Sequence, residues 1–219
     1  MSAAPSRIDH LVVVSPGLDA GCAAVAGWLG VAPEGGGAHP HMGTHNRLLR
    51  LGDHCYLEVI AIDPAAPPPA RARWFGLDRL APDAAPRLAT WVAATPALDA
   101  ALAAVPEPLG RAEAQSRGPW HWRIALPDDG EPPLGGVAPA LIEWPAGAHP
   151  APTLPDRGCR LVGLDLWHPA PARLEAVLAA LWLDPGVPLR VAAGARPALR
   201  ARIETPRGPR TLGAAPAGG

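Results

Sequence analysis

Ser15-Pro16-Gly17-Leu18-Asp19-Ala20 returns as Thr95-Pro96-Ala97-Leu98-Asp99-Ala100, each time between a short apolar run and an apolar stretch of helical spacing. Ser and Thr are good N-caps, Pro suits the first helical turn, and Asp19 and Asp99 lie where a helix dipole favours negative charge. The hexapeptide therefore predicts two helix starts. Leu18, Cys22, Val25 and Leu29 then recur at helical spacing, as do Leu98, Leu102 and Val105. A weaker third copy opens at Arg160-Leu161-Val162-Gly163-Leu164-Asp165-Leu166-Trp167-His168-Pro169, and Leu174, Val177, Leu178 and Leu181 form its stripe. One supersecondary unit used about three times is the expected plan.

Strand candidates surround each helix. Ile8 to Val14, Leu88 to Ala94 and Leu161 to Trp167 precede the helices. Behind the first lie Asn46 to Leu51 and Cys55 to Ala61, and behind the second Trp120 to Leu126 and Ala140 to Trp144. Leu199 to Thr205 and Arg210 to Leu212 follow the third, with further strands sought at His39 to Thr44 and Leu189 to Ala192. Tyr56-Leu57-Glu58-Val59-Ile60 is echoed by Leu141-Ile142-Glu143-Trp144. Proline-rich linkers at Asp63 to Arg73 and Pro145 to Gly158 divide the units. Trp74-Phe75-Gly76-Leu77 reads as a core plug in preference to a lid, and Gly213 to Gly219 as a disordered tail.

A chain of 219 residues with 48% hydrophobic content can bury a sizeable core. Its formal net charge of −1 gives no electrostatic reason to expect nucleic acid or an anionic membrane as partner. No apolar run reaches membrane-span length, and Met1 to Asp9 lacks a signal-peptide core, so a cytoplasmic location is expected. All 19 basic residues are Arg, which rules out a Schiff-base lysine and a Walker-type phosphate loop. Cys22, Cys55 and Cys159 form no C-x-x-C pair and read as buried free thiols.

Strand parity directs attention to two residues. Leu11, Val13, Leu57 and Val59 suit a face covered by a helix, which turns His10 and Glu58 together toward the other side. If that side lines a cavity, an imidazole and a carboxylate there suit a divalent metal or acid–base work. A hydrogen-bonded structural His and a paired buried Glu are the ordinary alternatives.

Ile8-Asp9-His10-Leu11-Val12, Gly43-Thr44-His45-Asn46 and Tyr56-Leu57-Glu58-Val59 resemble the glyoxalase-like domain of the vicinal oxygen chelate superfamily. The resemblance runs from about Arg7 to Leu212, through Trp122-Arg123, Leu141-Ile142-Glu143-Trp144, His149-Pro150 and Thr205-Pro206-Arg207-Gly208. It implies an α+β fold of repeated βαβββ modules, with curved mixed sheets enclosing a cavity and helices outside. Residues 1–147 would hold two paired modules (about 7–62 and 88–145), and 148–219 a third βαβββ-like module and the tail.

Metal enzymes of that superfamily draw ligands from a first-strand residue and a last-strand Glu of each module. His10, Glu58 and Glu143 match, whereas counting back from Pro96 as from Pro16 gives Thr90 in place of a fourth ligand. The implied cofactor is a divalent metal (Zn, Fe, Mn or Ni) held by His10, Glu58 and Glu143, with Glu58 or Glu143 also moving a proton. His45-Asn46-Arg47 and His121-Trp122-Arg123 repeat a His-x-Arg pattern, so His45, Arg47, His121 and Arg123 are candidates for binding an anionic substrate, outward-facing solvated Arg being the alternative. His39, His41, His54 and His149 fall in predicted loops, with His41 and His149 within reach of a pocket mouth. The expected function is a glyoxalase-like enzyme acting on vicinal oxygens of an anionic or carbonyl small molecule, with a homodimer compatible; the alternative is a metal-free binding protein of the same fold, and a structural module explains the residues less well.

Overall fold

The computed structural model describes residues 5–215. Two modules share one element order. The first is β1 (Arg7–Val14), α1 (Leu18–Leu29), β2 (Glu34–His39), β3 (Thr44–Arg50) and β4 (Tyr56–Ile62). The second is β5 (Arg87–Ala94), α2 (Leu98–Ala104), β6 (Arg111–Arg117), β7 (Trp120–Leu126) and β8 (Ala140–Glu143). In each, the last strand returns parallel beside the first, and β1 pairs antiparallel with β5 to join them. The result is an eight-stranded sheet of order β2-β3-β4-β1-β5-β8-β7-β6, curled so that its end strands β2 and β6 approach each other. β6 has no counterpart among the expected strands because Arg-Ala-Glu-Ala-Gln-Ser-Arg lacks the β-branched and apolar residues that mark a strand.

The pleat sorts the side chains of the central strands. Leu11, Val13, Leu57, Val59, Trp91 and Leu141 lie in the core on the helix side, while Val12, Val14, Ile60, Val92, Ala140 and Ile142 lie in a second core inside the curl.

The helices start later than the caps Ser15 and Thr95 imply. The N-cap positions are Gly17 and Ala97, without side-chain caps. Ser15 Oγ–H instead donates to the Gly17 carbonyl at 2.7 Å, and Thr95 Oγ1 accepts from the Ala97 amide at 3.4 Å. Both hydroxyls bond two residues ahead, a short turn that competes with capping.

Two glycines of α1 should respond oppositely to alanine. A Cβ on Gly27 meets nothing within 4 Å, so Gly27→Ala is expected to stabilise by about 0.5–1 kcal/mol through helix propensity. A Cβ on Gly21 would sit 2.5 Å from Val59 Cγ1 and 2.8 Å from Ser15 Cβ, where α1 presses on β4. Gly21→Ala should therefore cost about 1–3 kcal/mol as overpacking outweighs propensity. Urea unfolding of both variants checks the sign.

β9 (Arg160–His168), α3 (Pro171–Leu181), β10 (Leu189–Ala193), β11 (Ala198–Glu204) and β12 (Arg210–Gly213) form a four-stranded sheet of order β10-β9-β11-β12. The element order is that of the modules, but the wiring is not. Here the strand after the helix returns parallel beside the first strand, whereas β2 goes to the far edge and the chain then works back. Three superposable units, as the sequence suggested, are thus corrected to two alike and one rewired. Nor is the last part separate: Leu199, Ala201, Ile203 and Leu212 pack in the same core as Leu11, Leu88 and Trp91. Gly213 ends β12, and residues 216–219 of the expected tail lie outside the described residues. No helix among the described residues is long and apolar enough to cross a membrane.

Candidate active site

The inside of the curl holds a cavity of about 20 Å³, lined by His10, Tyr56, Glu58 and Arg117 among aromatic and aliphatic side chains. Trp74–Arg79, a 3-10 segment, pushes Trp74, Phe75 and Leu77 into the curl. It plugs the core and also forms a wall. Phe75 takes a left-handed backbone with φ 60°, costly for a bulky residue, and the Gly76 amide donates to the Gly130 carbonyl at 2.9 Å. Beyond Phe75 lies a smaller space of about 10 Å³ lined in part by Thr90 and Ala140.

A chain of buried polar groups crosses the first module. The pairing of β1 with β5 slips between Ile8 and His10, leaving Asp9 as an extra residue in the strand. This irregularity brings Asp9 alongside its neighbour His10, with Nδ1 at 2.6 Å from Asp9 Oδ1. The other Asp9 oxygen accepts from Trp144 Nε1 at 2.9 Å and His149 Nε2 at 3.1 Å. Because His149 Nδ1 accepts from the Ala151 amide, its proton sits on Nε2. Burial would raise the Asp9 pKa, but the His10 and His149 hydrogen bonds and charges outweigh it and hold the carboxyl well below the ordinary carboxylate range.

With Nδ1 turned to Asp9, His10 directs Nε2 toward Glu58 Oε2 at 3.6 Å, beyond a direct hydrogen bond. Its ring stacks on Tyr56 with centroids 4.6 Å apart. Glu58 Oε1 accepts from Asn46 Nδ2 at 2.5 Å, and the same amide nitrogen lies 3.4 Å from His39 Nε2. Asn46 Oδ1 accepts from the Gly37 amide, which fixes the amide orientation. His39 therefore presents an unprotonated Nε2 to Asn46 and bonds Thr44 Oγ1 through Nδ1 at 3.1 Å. Burial, with Arg117 nearby, pulls the His39 pKa down to about 3, so the ring is neutral. Burial, reinforced by the Asp9 and Glu58 charges, pushes the Tyr56 phenol up, keeping its hydroxyl protonated.

His10 and Glu58 are brought together, but Glu143 is not with them. The Ser15 amide donates to Ile60 O and the Thr95 amide to Ile142 O, so Ile60 corresponds to Ile142 and Glu58 to Ala140. The same match follows from Val12 facing Glu58 in one ladder and Val92 facing Ala140 in the other. Aligning Glu58 with Glu143 is thus off by three residues, an odd step that reverses the face. Glu143 lies on the helix side, where its Oε2 accepts from Arg123 Nη1 at 2.9 Å.

The four substrate-binding candidates fall on that outer side too. Arg123 is held by Asp99 of α2 as well as by Glu143. His45, Arg47 and His121 alternate with the inward Asn46 and Trp122, and Arg47 and His121 are exposed. The parity of both His-x-Arg motifs is reversed from the expectation: the middle residue, Asn or Trp, faces in. Loop assignment likewise missed His39, buried at the end of β2, and His149, brought onto Asp9 by the Pro145–Gly158 linker. Asp9 was overlooked because strict alternation puts it opposite His10. The sequence signal was the Asp9-His10 dipeptide itself.

The expected metal set fails the same geometric test. His10 and Glu58 are two donors, but the corresponding positions in the second module are Thr90 and Ala140. Thr90 Oγ1 is 3.4 Å from the Trp91 carbonyl, and alanine offers no side-chain ligand. Among the described residues no cluster of three His, Cys, Asp or Glu side chains is arranged to hold a metal ion. His10, Glu58 and Glu143 do not form a ligand set.

Two βαβββ modules joined through their first strands into a half-barrel, with polar groups on its inner face, define a vicinal oxygen chelate protein. The chain belongs to the glyoxalase-like domain family, whose sequence profile matches residues 8–182. Among solved structures, a hypothetical protein from Staphylococcus aureus shares 12% identity with a TM-score of 0.59, covering 88% of each chain. A Streptomyces coelicolor methylmalonyl-CoA epimerase variant in complex with 2-nitronate-propionyl-CoA shares 15% identity and a TM-score of 0.43, over 65% of this chain and 100% of its own. The epimerase from Mycobacterium tuberculosis shares 17% identity and a TM-score of 0.43, over 64% and 88%. No curated protein matches the chain.

Proposed function

We propose that this protein is a small-molecule enzyme of the glyoxalase type that moves a proton on a carbon next to a carbonyl group, with Glu58 as base and His10 as its partner. The observation that carries this reading is the pair itself: Glu58 Oε2 and His10 Nε2, 3.6 Å apart in the wall of a largely apolar cavity, each anchored from behind. Asn46 occupies the other Glu58 oxygen and Asp9 the other His10 nitrogen, so the two free atoms face the same volume. Glu58 takes the proton as the C–H bond breaks, and the electron pair moves into the carbonyl to give an enolate. His10 Nε2–H then donates a hydrogen bond to the enolate oxygen. Return of the proton from Glu58 to a neighbouring atom of the enolate completes an isomerisation, and loss of a leaving group instead gives a lyase. The surrounding Trp74, Trp122 and Trp144 exclude water that would solvate the carboxylate.

The reading is tested by incubating the protein in D2O with a panel of small 2-oxo and 2-substituted acids and following C–H signals by NMR, with and without EDTA. Exchange that survives EDTA is expected. Exchange that appears only with added Zn or Mn would return the chemistry to a metal ion. Tight binding of a panel member with no exchange would make this a sequestration protein.

A further inference from the structure

Resting on the reading of this cavity as the substrate site, we infer that it selects a small monocarboxylate, held by Arg117 and the Trp74 indole N–H in the same cavity as His10 and Glu58. Arg117 ends β6, is 8% exposed and lines the cavity. Its guanidinium makes no ion pair within 4.0 Å among the described residues. Elsewhere the chain pairs its arginines readily: Arg71 with Glu113, Arg123 with Glu143, Arg157 with Glu34, Arg173 with Glu107. A buried guanidinium without a carboxylate is expensive unless an anion joins it.

A second orphan lies in the same wall. Trp74 is 3% exposed, and its Nε1–H is buried without a hydrogen-bond acceptor among the described residues. An indole N–H normally finds a partner when buried. Both donors line one cavity, where His39 is already engaged by Asn46 and Thr44, and Glu58 is held by Asn46 with its other oxygen beside His10.

The position of Arg117 is built. Its stem crosses to the opposite edge of the curl and lies on Gly37 of β2, where a Cβ would be 3.3 Å from Arg117 Cγ and 3.4 Å from Cδ. Absence of a side chain at Gly37 leaves room for the arginine across the mouth.

Charge and size narrow the ligand. One guanidinium and one neutral N–H balance a single negative charge, whereas a dianionic phosphate would leave excess charge facing Glu58. A planar carboxylate also matches the planar guanidinium fork. The free volume is about 20 Å³, which admits a carboxylate head and leaves the rest of the ligand at the open side of the cavity. Flat aromatic walls favour an unsaturated or aryl body.

Calorimetric titration of the full chain with benzoate, its neutral isostere benzamide, and phenylphosphonate tests the inference. Benzoate is expected to bind at least tenfold more tightly than either, and Arg117→Gln should bring benzoate down to the level of benzamide. Trp74→Phe should weaken benzoate several-fold and leave benzamide nearly unchanged. Equal binding of benzoate and benzamide by the wild type, preference for phenylphosphonate, absence of benzoate binding, or an Arg117→Gln protein that keeps its preference would each overturn it. The wild-type comparison holds even if a variant does not fold. Benzoate selectivity without proton exchange on any acid would sink the enzymatic reading and leave the carboxylate site standing.

Discussion

Replacing Glu58 by Gln is expected to lower proton exchange by about 10²–10⁴-fold while leaving ligand affinity within a few-fold of wild type, since a positioned general base contributes on that scale. Glutamine keeps the size of the side chain and can still pair with Asn46 after its amide rotates, so the polar chain through β3 and β4 survives. What is lost is the oxygen that accepts a proton opposite His10. The loss should fall on kcat, because on this reading the side chain acts on the reacting carbon and not on the ligand's carboxylate. Single-turnover exchange in D2O and calorimetry with the same ligand separate the two. A variant with unaltered exchange would move the chemistry off this residue.

The second large effect is acid lability set by His39. A ring whose pKa is about 3 in the folded protein regains its ordinary value near 6.5 on unfolding. Between those values the unfolded chain binds the extra proton, so stability is full above about pH 6.5 and declines as pH falls toward 3. From pH 6.5 to 5 this single group removes about 2 kcal/mol. Urea unfolding across that window should show the slope, and His39→Gln should flatten it even though it costs stability at pH 7. Asp9 contributes in a different window. Its folded pKa is depressed, so its stabilisation is present above the ordinary carboxylate pKa and fades only as pH drops below about 4. A wild-type profile level from pH 7 to 4.5 would show that His39 is not held neutral.

Most strands were legible because their apolar residues run together where both faces are buried, as in Ile8 to Val14, or alternate with polar ones, as in Trp120 to Ile124. The hexapeptide located two helices, although the chain makes a turn at Ser15 and Thr95 before each begins. His10 and Glu58 could be read as neighbours because a parallel pairing of β1 and β4 keeps both on the inner face. The failures share a cause. Glu143 looked equivalent to Glu58 because both follow an apolar pair, yet the hydrogen bonds that set register run through backbone atoms no side-chain echo reports. His45, Arg47, His121 and Arg123 were misplaced by the same one-step ambiguity of a strand. Asp9 needed an irregularity in the strand, and His149 a long-range contact from a linker, neither of which leaves a local pattern. Arg117 was hidden because β6 is too polar to read as a strand.

Phe75 gives the fold a freedom that its strands do not have. It stands as a partition between the chamber of His10 and Glu58 and the smaller one beside Thr90 and Ala140. The sheet that carries His10 and Glu58 is locked by its ladders, but the partition hangs from the connection between modules. Exchanging that one side chain for a smaller one would join two rooms into one without moving a single strand. Where His10 and Glu58 act as proposed, the reach of a substrate can thus be retuned in the linker while that pair stays in place, so changes of substrate in proteins built this way are to be sought first in the segment that the sheet does not constrain.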